Sequence, residues 1–574
     1  VNQESLRTTP TPLYTGRFIV VLLMCAFVVG VLIWRMVDLQ VLRTDFLQGE
    51  GDARALRTIE LPAHRGMITD RNGEPLAVSA PVSSVWCDPT ETLRAKKRIG
   101  ELADALGMKK SHLLRYLTDR ASRRFVYLRR HLTPEAAQRV AALEVPGVNL
   151  QREYRRYYPS GEVSGQLVGF TDIDDHGQEG MELAYDEWLR GIPGKTQVLK
   201  DRIGRVVEDA PGRVEPQPGK DLALTIDRRL QYLAYRALKA AVAQHRAQSG
   251  SAVVLDARTG EILAMVNQPS FNPNNRKALK PALFRNRAVT DLFEPGSTLK
   301  PFTVAAGLES GLYRPGTLID THPGRYKVGR QWVRDVRDYG ELDVTRVIAK
   351  SSNVGASKIA LSLDPGFFYG LLSGVGFGWL PESGFPGEAI GDLPHYTHWS
   401  RFEQATLSFG YGLSTSVLQL ARAYSVLAAD GELRPVSLVK TDQPVAATRV
   451  LSADTARAVR AMMEHVVGPE GTGRRAAIPG YRVAGKTGTV RKSVAGGYAE
   501  DRHVAVFAGM VPASAPRLVM VVMLDEPAGD EYYGGQVAAP VFSRVMKAAL
   551  RLFNVPPDDL PGVTALRTKP EGRA

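Results

Sequence analysis

A chain of 574 residues with 44% hydrophobic content is too long for one ordinary domain and apolar enough for a sizeable core, so about two to four domains are expected. The formal charge of +13 is spread along the chain, and no nucleic-acid-binding motif accompanies it, which turns the reading away from nucleic acid. Two cysteines, Cys25 in an apolar run and Cys87 far beyond it, exclude a disulfide framework and leave the redox compartment undecided.

Residues 1–16 are short and polar, with Pro10 and Pro12, and read as a disordered tail. Residues 18–34 form an uncharged apolar run between Arg17 and Arg35, long enough with Met36 and Val37 to span a bilayer if the arginines snorkel. No small-x-small cleavage site follows, so the segment reads as one uncleaved anchor. Residues 38–56 resemble a helical stalk. A β-rich segment then opens at Pro62, with turn chemistry at Asp70–Gly73. Residues 91–145 read mostly as amphipathic helices. Their basic residues, dense from Arg94 to Arg130, mark a solvated face, with an anionic polymer, a membrane surface or an acidic partner as sharper alternatives.

The Pro/Gly-rich stretch 211–219 reads as a linker or loop. A strand over 222–227 ends at a capping Asp227, and a helix follows over 230–243. Two β-branched runs, 250–256 and 261–266, are joined by Ala257–Gly260 and predict a hairpin. A loop then opens at Gly296 into a helix starting at about Ser297. Further on come a turn at Gly410–Gly412, a helix over 417–427, and strands over 482–489, 503–511 and 518–524. A covering helix over 538–553 and a loose tail after about Pro556 complete the chain. No repeat is apparent. His395, His398, His465 and His503 are not spaced as a metal site and read as structural, so neither a metal nor a cofactor is expected.

The chemistry starts at Ser297 and Lys300, three apart on one helical face. A serine hydroxyl is a poor nucleophile until a base takes its proton. A lysine is such a base only where burial or a neighbouring cation lowers its pKa. Pro301 is tolerated in a first turn. A second S-x-x-K (Ser437, Lys440) and an early S-x-N (Ser270, Asn272) lack the right company. Only Ser297-x-x-Lys300, Ser351-x-Asn353 and Lys486-Thr487-Gly488 give the ordered set S-x-x-K, S-x-N, K-[ST]-G. The milder readings are a helix cap for Asn353 and a solubilising edge-strand charge for Lys486.

That ordered set resembles the serine penicillin-recognising enzymes. The run from Arg65 to Ala77, R-G-x-x-x-D-R-N-G-x-x-L-A, is similar to the opening of the N-terminal module of class B penicillin-binding proteins, which β-lactamases lack. The resemblance covers roughly residues 60–550 and is closest to the septal transpeptidases of Gram-negative bacteria. It implies a multidomain α+β chain. The expected parts are a cytoplasmic tail (1–16), a transmembrane anchor (17–37) and a β-rich stalk and pedestal of the dimerisation type (38–220). A penicillin-binding transpeptidase domain (221–555), an antiparallel sheet flanked by helices, and a flexible tail (556–574) follow. Arg65, Gly66, Arg71 and Glu182 lie far in sequence from every nucleophilic element and read as structural, forming salt bridges and tight turns.

The family's roles carry over where residues match. Ser297 is the expected nucleophile, Lys300 its base, Ser351 the proton relay, Asn353 the holder of the substrate amide and Lys486 a source of positive field. Thr487, Gly488 and Thr489 are expected at the substrate carboxylate, with the backbone N–H groups of Ser297 and Thr489 as oxyanion hole. Expected partners are D-Ala-D-Ala stem peptides with an amine acceptor, β-lactams, the membrane, and division proteins that include a polytopic glycosyltransferase. The N-terminus is expected in the cytoplasm and the catalytic domain in the periplasm of a bacterial inner membrane. Competing expectations are an elongation-specific transpeptidase, a β-lactam hydrolase or sensor, and a divisome scaffold with secondary activity. Residues 38–225 look too short and too β-rich for a glycosyltransferase domain.

Overall fold

The computed structural model describes residues 15–42, 56–200, 206–275, 280–441, 443, 446–494 and 497–560. Nearly all of the expected N-terminal tail, residues 43–55 of the expected stalk and residues 561–574 of the expected C-terminal tail lie outside the described residues.

The apolar run forms the helix Thr15–Val37, with Phe18 69% and Trp34 67% exposed. A helix satisfies its own backbone groups, as hydrocarbon requires, and its 23 residues span about 35 Å, enough for a bilayer core. It is long and apolar enough to cross a membrane. A π turn, Asp38–Leu42, follows, where Arg35 pairs with Asp38 at 2.7 Å.

The pedestal contains two sheets. Leu56–Leu61, Gly194–Lys200 and Val206–Val214 form the first, an antiparallel three-stranded sheet. The linker expected over 211–219 is therefore corrected. Its first residues lie in an edge strand, where Pro211 falls at a register shift and loses no ladder bond. The rest is tied down, with Gly219 N donating to His64 O at 2.8 Å. The second sheet is built on the long strand Pro75–Cys87, paired with Val148–Tyr157 and Val126–Leu132. The helices expected over 91–145 are present as Pro89–Arg94, Ile99–Ala105, Lys110–Thr118 and Pro134–Ala141, but Val126–Leu132 is a strand among them. Cys25 and Cys87 are both free.

The signature run from Arg65 does structural work. Arg65 is buried against Glu182 and Asp186, both at 2.7 Å, and Arg156 reaches the same Glu182 at 2.7 Å. Asp70 closes its turn by accepting from Asn72 N and Glu74 N, and its second oxygen accepts from Arg228 N at 3.0 Å. Arg71 pairs with Glu261 at 3.2 Å. The pedestal is thus stitched to the first helix and first hairpin of the catalytic module.

That helix, Arg228–Gln244, is capped by Asp227 as expected. The central sheet has five antiparallel strands in the order Ile262–Gln268, Ser249–Asp256, Leu518–Asp525, Gly497–Val511, Ala484–Val494. Strand alternation feeds two apolar layers. Val253, Leu255, Val519 and Val521 face Leu299, Phe302, Leu420 and Tyr424 on one side. Ala252, Val254, Met520 and Val522 face Leu238, Phe542 and Met546 on the other. The covering helix is Ala539–Leu552, after a short turn at Gly534–Val537. Beyond it Asp558 accepts from Arg482 N at 2.8 Å and Ser514 Oγ at 2.6 Å, so the described start of the expected tail is docked.

Candidate active site

The turn carrying Ser297 is tight. Gly296–Leu299 forms one 3-10 turn, and the α-helix proper is Lys300–Glu309. The expected helix start at about Ser297 is corrected by one turn. Pro301 brings no N–H and sits at the α-helix start, where that group has no intrahelical partner anyway. Residues three apart in a 3-10 turn eclipse one another, so Ser297 and Lys300 still share a face.

Two elements hold this turn from behind. Tyr424, fully buried on the helix Val417–Ala428, donates to Thr298 O at 2.7 Å. The Gly410–Gly412 turn runs against Gly296, whose N donates to Gly410 O at 3.1 Å. Gly410 has φ +82°, and a Cβ there would stand 2.2 Å from Gly296 O. Side chains are excluded at this point by both conformation and space. Tyr411 itself packs edge-on against Tyr498.

Ser351 ends the helix Val344–Lys350 in the left-handed conformation, φ +64°, and Ser352 caps the next helix, Asn353–Leu361. The helix-cap reading of Asn353 is therefore corrected, because Ser352 takes that role. Asn353 instead accepts from Lys300 Nζ at 2.7 Å and donates to Arg334 O at 2.9 Å. Lys300 Nζ also donates to Ser351 O at 2.5 Å and Ser351 Oγ at 3.1 Å. Lys486, from the edge strand, donates to the same Ser351 Oγ at 3.0 Å and to Thr487 O at 3.1 Å. It is fully buried, which removes the solubilising-charge reading.

The electrostatics follow from that burial. Burial first, and the neighbouring Lys486 second, hold Lys300 well below the ordinary lysine range, against an opposing pull from Asp335. Burial lowers Lys486 to about 7. Ser297 takes no part in these hydrogen bonds and is half-buried. Along the edge strand, Thr487 Oγ1 meets Thr472 Oγ1 at 2.7 Å, and Thr489 Oγ1 accepts from Gly534 N at 2.9 Å. Gly488 backs onto the nucleophile turn, and a Cβ there would meet Pro295 O at 3.0 Å.

Sequence reasoning missed Asp335. It accepts from Ser352 Oγ at 2.6 Å, Asn353 N at 2.5 Å and Val354 N at 3.0 Å, fixing the second and third residues of the S-x-N element. No spacing rule links it to that motif. Tyr424 and Thr472 were missed for the same reason. The two imitation motifs are spent on backbone carbonyls: Ser437 Oγ on Val439 O, Lys440 Nζ on Arg71 O, Ser270 Oγ on Glu162 O. A hydroxyl held between two buried amines, both with lowered pKa values, is chemically able to take up and give back a proton.

Comparison with known proteins points the same way. Residues 250–547 match the penicillin-binding protein transpeptidase domain, and residues 60–224 match the penicillin-binding protein dimerisation domain. The chain is 45% identical to the peptidoglycan D,D-transpeptidase FtsI of Escherichia coli K12 over 545 residues, 94% of this chain and 92% of that protein. The apo transpeptidase domain of penicillin-binding protein 3 from Burkholderia pseudomallei matches at 46% identity and a TM-score of 0.55, over 59% of this chain and 98% of that one. Penicillin-binding protein 3 of Mycobacterium tuberculosis, solved with aztreonam, matches at 28% identity and a TM-score of 0.68, over 87% of this chain and 98% of that one.

Proposed function

We infer the reaction from one premise: this chain belongs to the class B penicillin-binding proteins and is a peptidoglycan D,D-transpeptidase of the serine acyl-enzyme type. The observation that carries the assignment of roles is Ser351 Oγ held between Lys300 and Lys486, both fully buried.

In this reading neutral Lys300 keeps two N–H bonds, to Ser351 O and Asn353 Oδ1, and turns its lone pair to the Ser297 hydroxyl. The proton passes to Lys300 as Ser297 Oγ bonds to the carbonyl carbon of the penultimate D-Ala. The carbonyl oxygen takes the negative charge and the backbone N–H groups of Ser297 and Thr489 receive it; losing one such donor costs about 3 kcal/mol in comparable sites. Collapse breaks the C–N bond. The proton travels from Lys300 through Ser351 Oγ to the departing D-Ala nitrogen, leaving an ester on Ser297. Asn353 holds the donor amide, Lys486 supplies the positive field, and Thr487 and Thr489, beside Gly488, bind the terminal carboxylate. An amine of a second stem peptide then attacks the ester carbon, its proton returns by the same route, and Ser297 regains its hydrogen.

The chain acts on peptidoglycan and binds β-lactams, and its apolar N-terminal helix, long enough to cross a membrane, together with its FtsI relatives supports a single-pass inner-membrane protein. We place the N-terminus in the cytoplasm and the catalytic module, residues 221–555, in the periplasm on a stalk and pedestal, residues 38–220. We assign it to the division septum, with divisome membrane proteins and a polytopic glycosyltransferase as partners. Aztreonam bound to the mycobacterial relative supports acylation of Ser297 by β-lactams here, with slow release expected because the three motifs supply no further base to activate water.

The test is intact mass and peptide mapping after exposure to a labelled penicillin. The expected result is one stable adduct, on Ser297, and none in Ser297→Ala. An adduct elsewhere, or none from a folded sample, overturns the assignment.

A further inference from the structure

The hairpin Arg325–Val328 and Gln331–Arg334 belongs to none of the three motifs. Its inner face is apolar, with Val328 and Val333 buried beside Val354, Ala405 and Phe409. Its outer face carries Arg325, Lys327, Trp332 and Arg334, all exposed, with Arg330 at the turn. The register sets Arg325 directly opposite Arg334 and Lys327 opposite Trp332. Like charges facing across antiparallel strands destabilise the pair. The Trp332 ring relieves this only in part, with the Arg325 guanidinium 5.3 Å and the Lys327 ammonium 5.9 Å from its centre.

Among the described residues Arg325, Lys327, Arg330 and Arg334 form no ion pair. The acids next in sequence are engaged elsewhere, Asp335 with Ser352 and Asn353, and Asp338 with His322 at 3.0 Å. The cationic face also adjoins the site. Arg334 O accepts from Asn353 Nδ2, so the face begins one hydrogen bond from the residue that holds the donor amide.

We propose that the outer face of this hairpin is a subsite for the carboxylates of the donor stem peptide. The inference rests on the acyl-transfer reading above, and it names how that site selects its substrate. A stem peptide carries free carboxylates on its γ-linked glutamate and on many diamino acids, upstream of the reacting D-Ala pair. The part of the donor that continues past Asn353 meets guanidinium forks suited to them. Trp332 offers a rigid surface for the aliphatic stretch between.

The test compares three acyl donors on full-length protein: a pentapeptide thioester with free carboxylates, the same donor with those carboxylates amidated, and benzylpenicillin. In Arg325→Glu combined with Lys327→Glu, kcat/KM for the free-carboxylate donor falls about tenfold, through KM. Acylation by the amidated donor and by benzylpenicillin stays unchanged. If the double variant does not fold, Lys327→Ala alone lowers the same ratio of free to amidated donor by about threefold. An unchanged ratio overturns the subsite, and equal losses on all three donors make the hairpin a structural support only. Unsubstituted protein that takes no penicillin at Ser297 is a separate failure, of the reaction rather than of the subsite.

Discussion

Ser351 Oγ lies 3.1 Å from Lys300 Nζ and 3.0 Å from Lys486 Nζ, and the two amines compete for a charge that burial makes costly. Burial lowers both amines, and the neighbouring Lys486 adds its repulsion to Lys300, which is why Lys300 is the amine assigned as the base. Penicillin acylation of Ser297 therefore rises with pH as Lys300 loses its proton, then falls as Lys486 loses its own at about 7. Stopped-flow rates against pH check this; a profile flat across the neutral range contradicts it. The Asp335 carboxylate pulls the Lys300 pKa upward, so Asp335→Asn moves the ascending limb to lower pH. The same change weakens charge-assisted bonds to Ser352 and Asn353 and costs about 1–3 kcal/mol of stability, read in a urea titration. The meeting of Lys300, Ser351, Asn353 and Lys486 was legible in the sequence because three short motifs stand in a fixed order. Asp335 was not, since only the folded hairpin brings it to the S-x-N element.

At the scale of elements, the nucleophile turn depends on partners that contribute no chemistry. Tyr424→Phe removes the donor to Thr298 O inside a buried layer, at a cost of about 1–3 kcal/mol. Thermal unfolding of the variant checks this, and an unchanged midpoint contradicts it. The strands of the central sheet were legible as apolar runs, and Asp227 as a helix cap, because each pattern is local. Val126–Leu132 was hidden by Arg129 and Arg130 in its middle: Arg129 is exposed, and Arg130 on the other face pairs with Glu153 at 3.1 Å and Asp174 at 2.7 Å. Val206–Val214 was hidden by Pro211, which only an edge strand accommodates. The 3-10 form of the turn at Ser297 was out of reach too, because its difference from an α-helix lies in one hydrogen bond per residue.

For the whole molecule, the pedestal and the catalytic module share one polar seam. Arg65, Glu182 and Arg156 form its buried centre on the pedestal side, and Asp70, Arg71 and Glu261 make the crossing. Glu182→Ala removes the carboxylate partner of buried Arg156 and leaves buried Arg65 with Asp186 alone, and it lowers stability by about 3–5 kcal/mol, seen as an earlier denaturant midpoint. A midpoint within error of the unsubstituted protein contradicts that estimate. The division into anchor, pedestal and catalytic module was readable from composition and motif order, whereas the seam needed coordinates, since its members lie far apart in sequence. The serine set between two lysines also limits how the protein evolves under drug pressure. Arginine at position 300 cannot release its proton, and a shorter side chain cannot reach the S-x-N element. On the proposed reaction, the atoms a β-lactam exploits are those that cross-linking itself requires. On that reaction, resistance substitutions arising within this chain are expected at positions other than Lys300, Ser351 and Lys486.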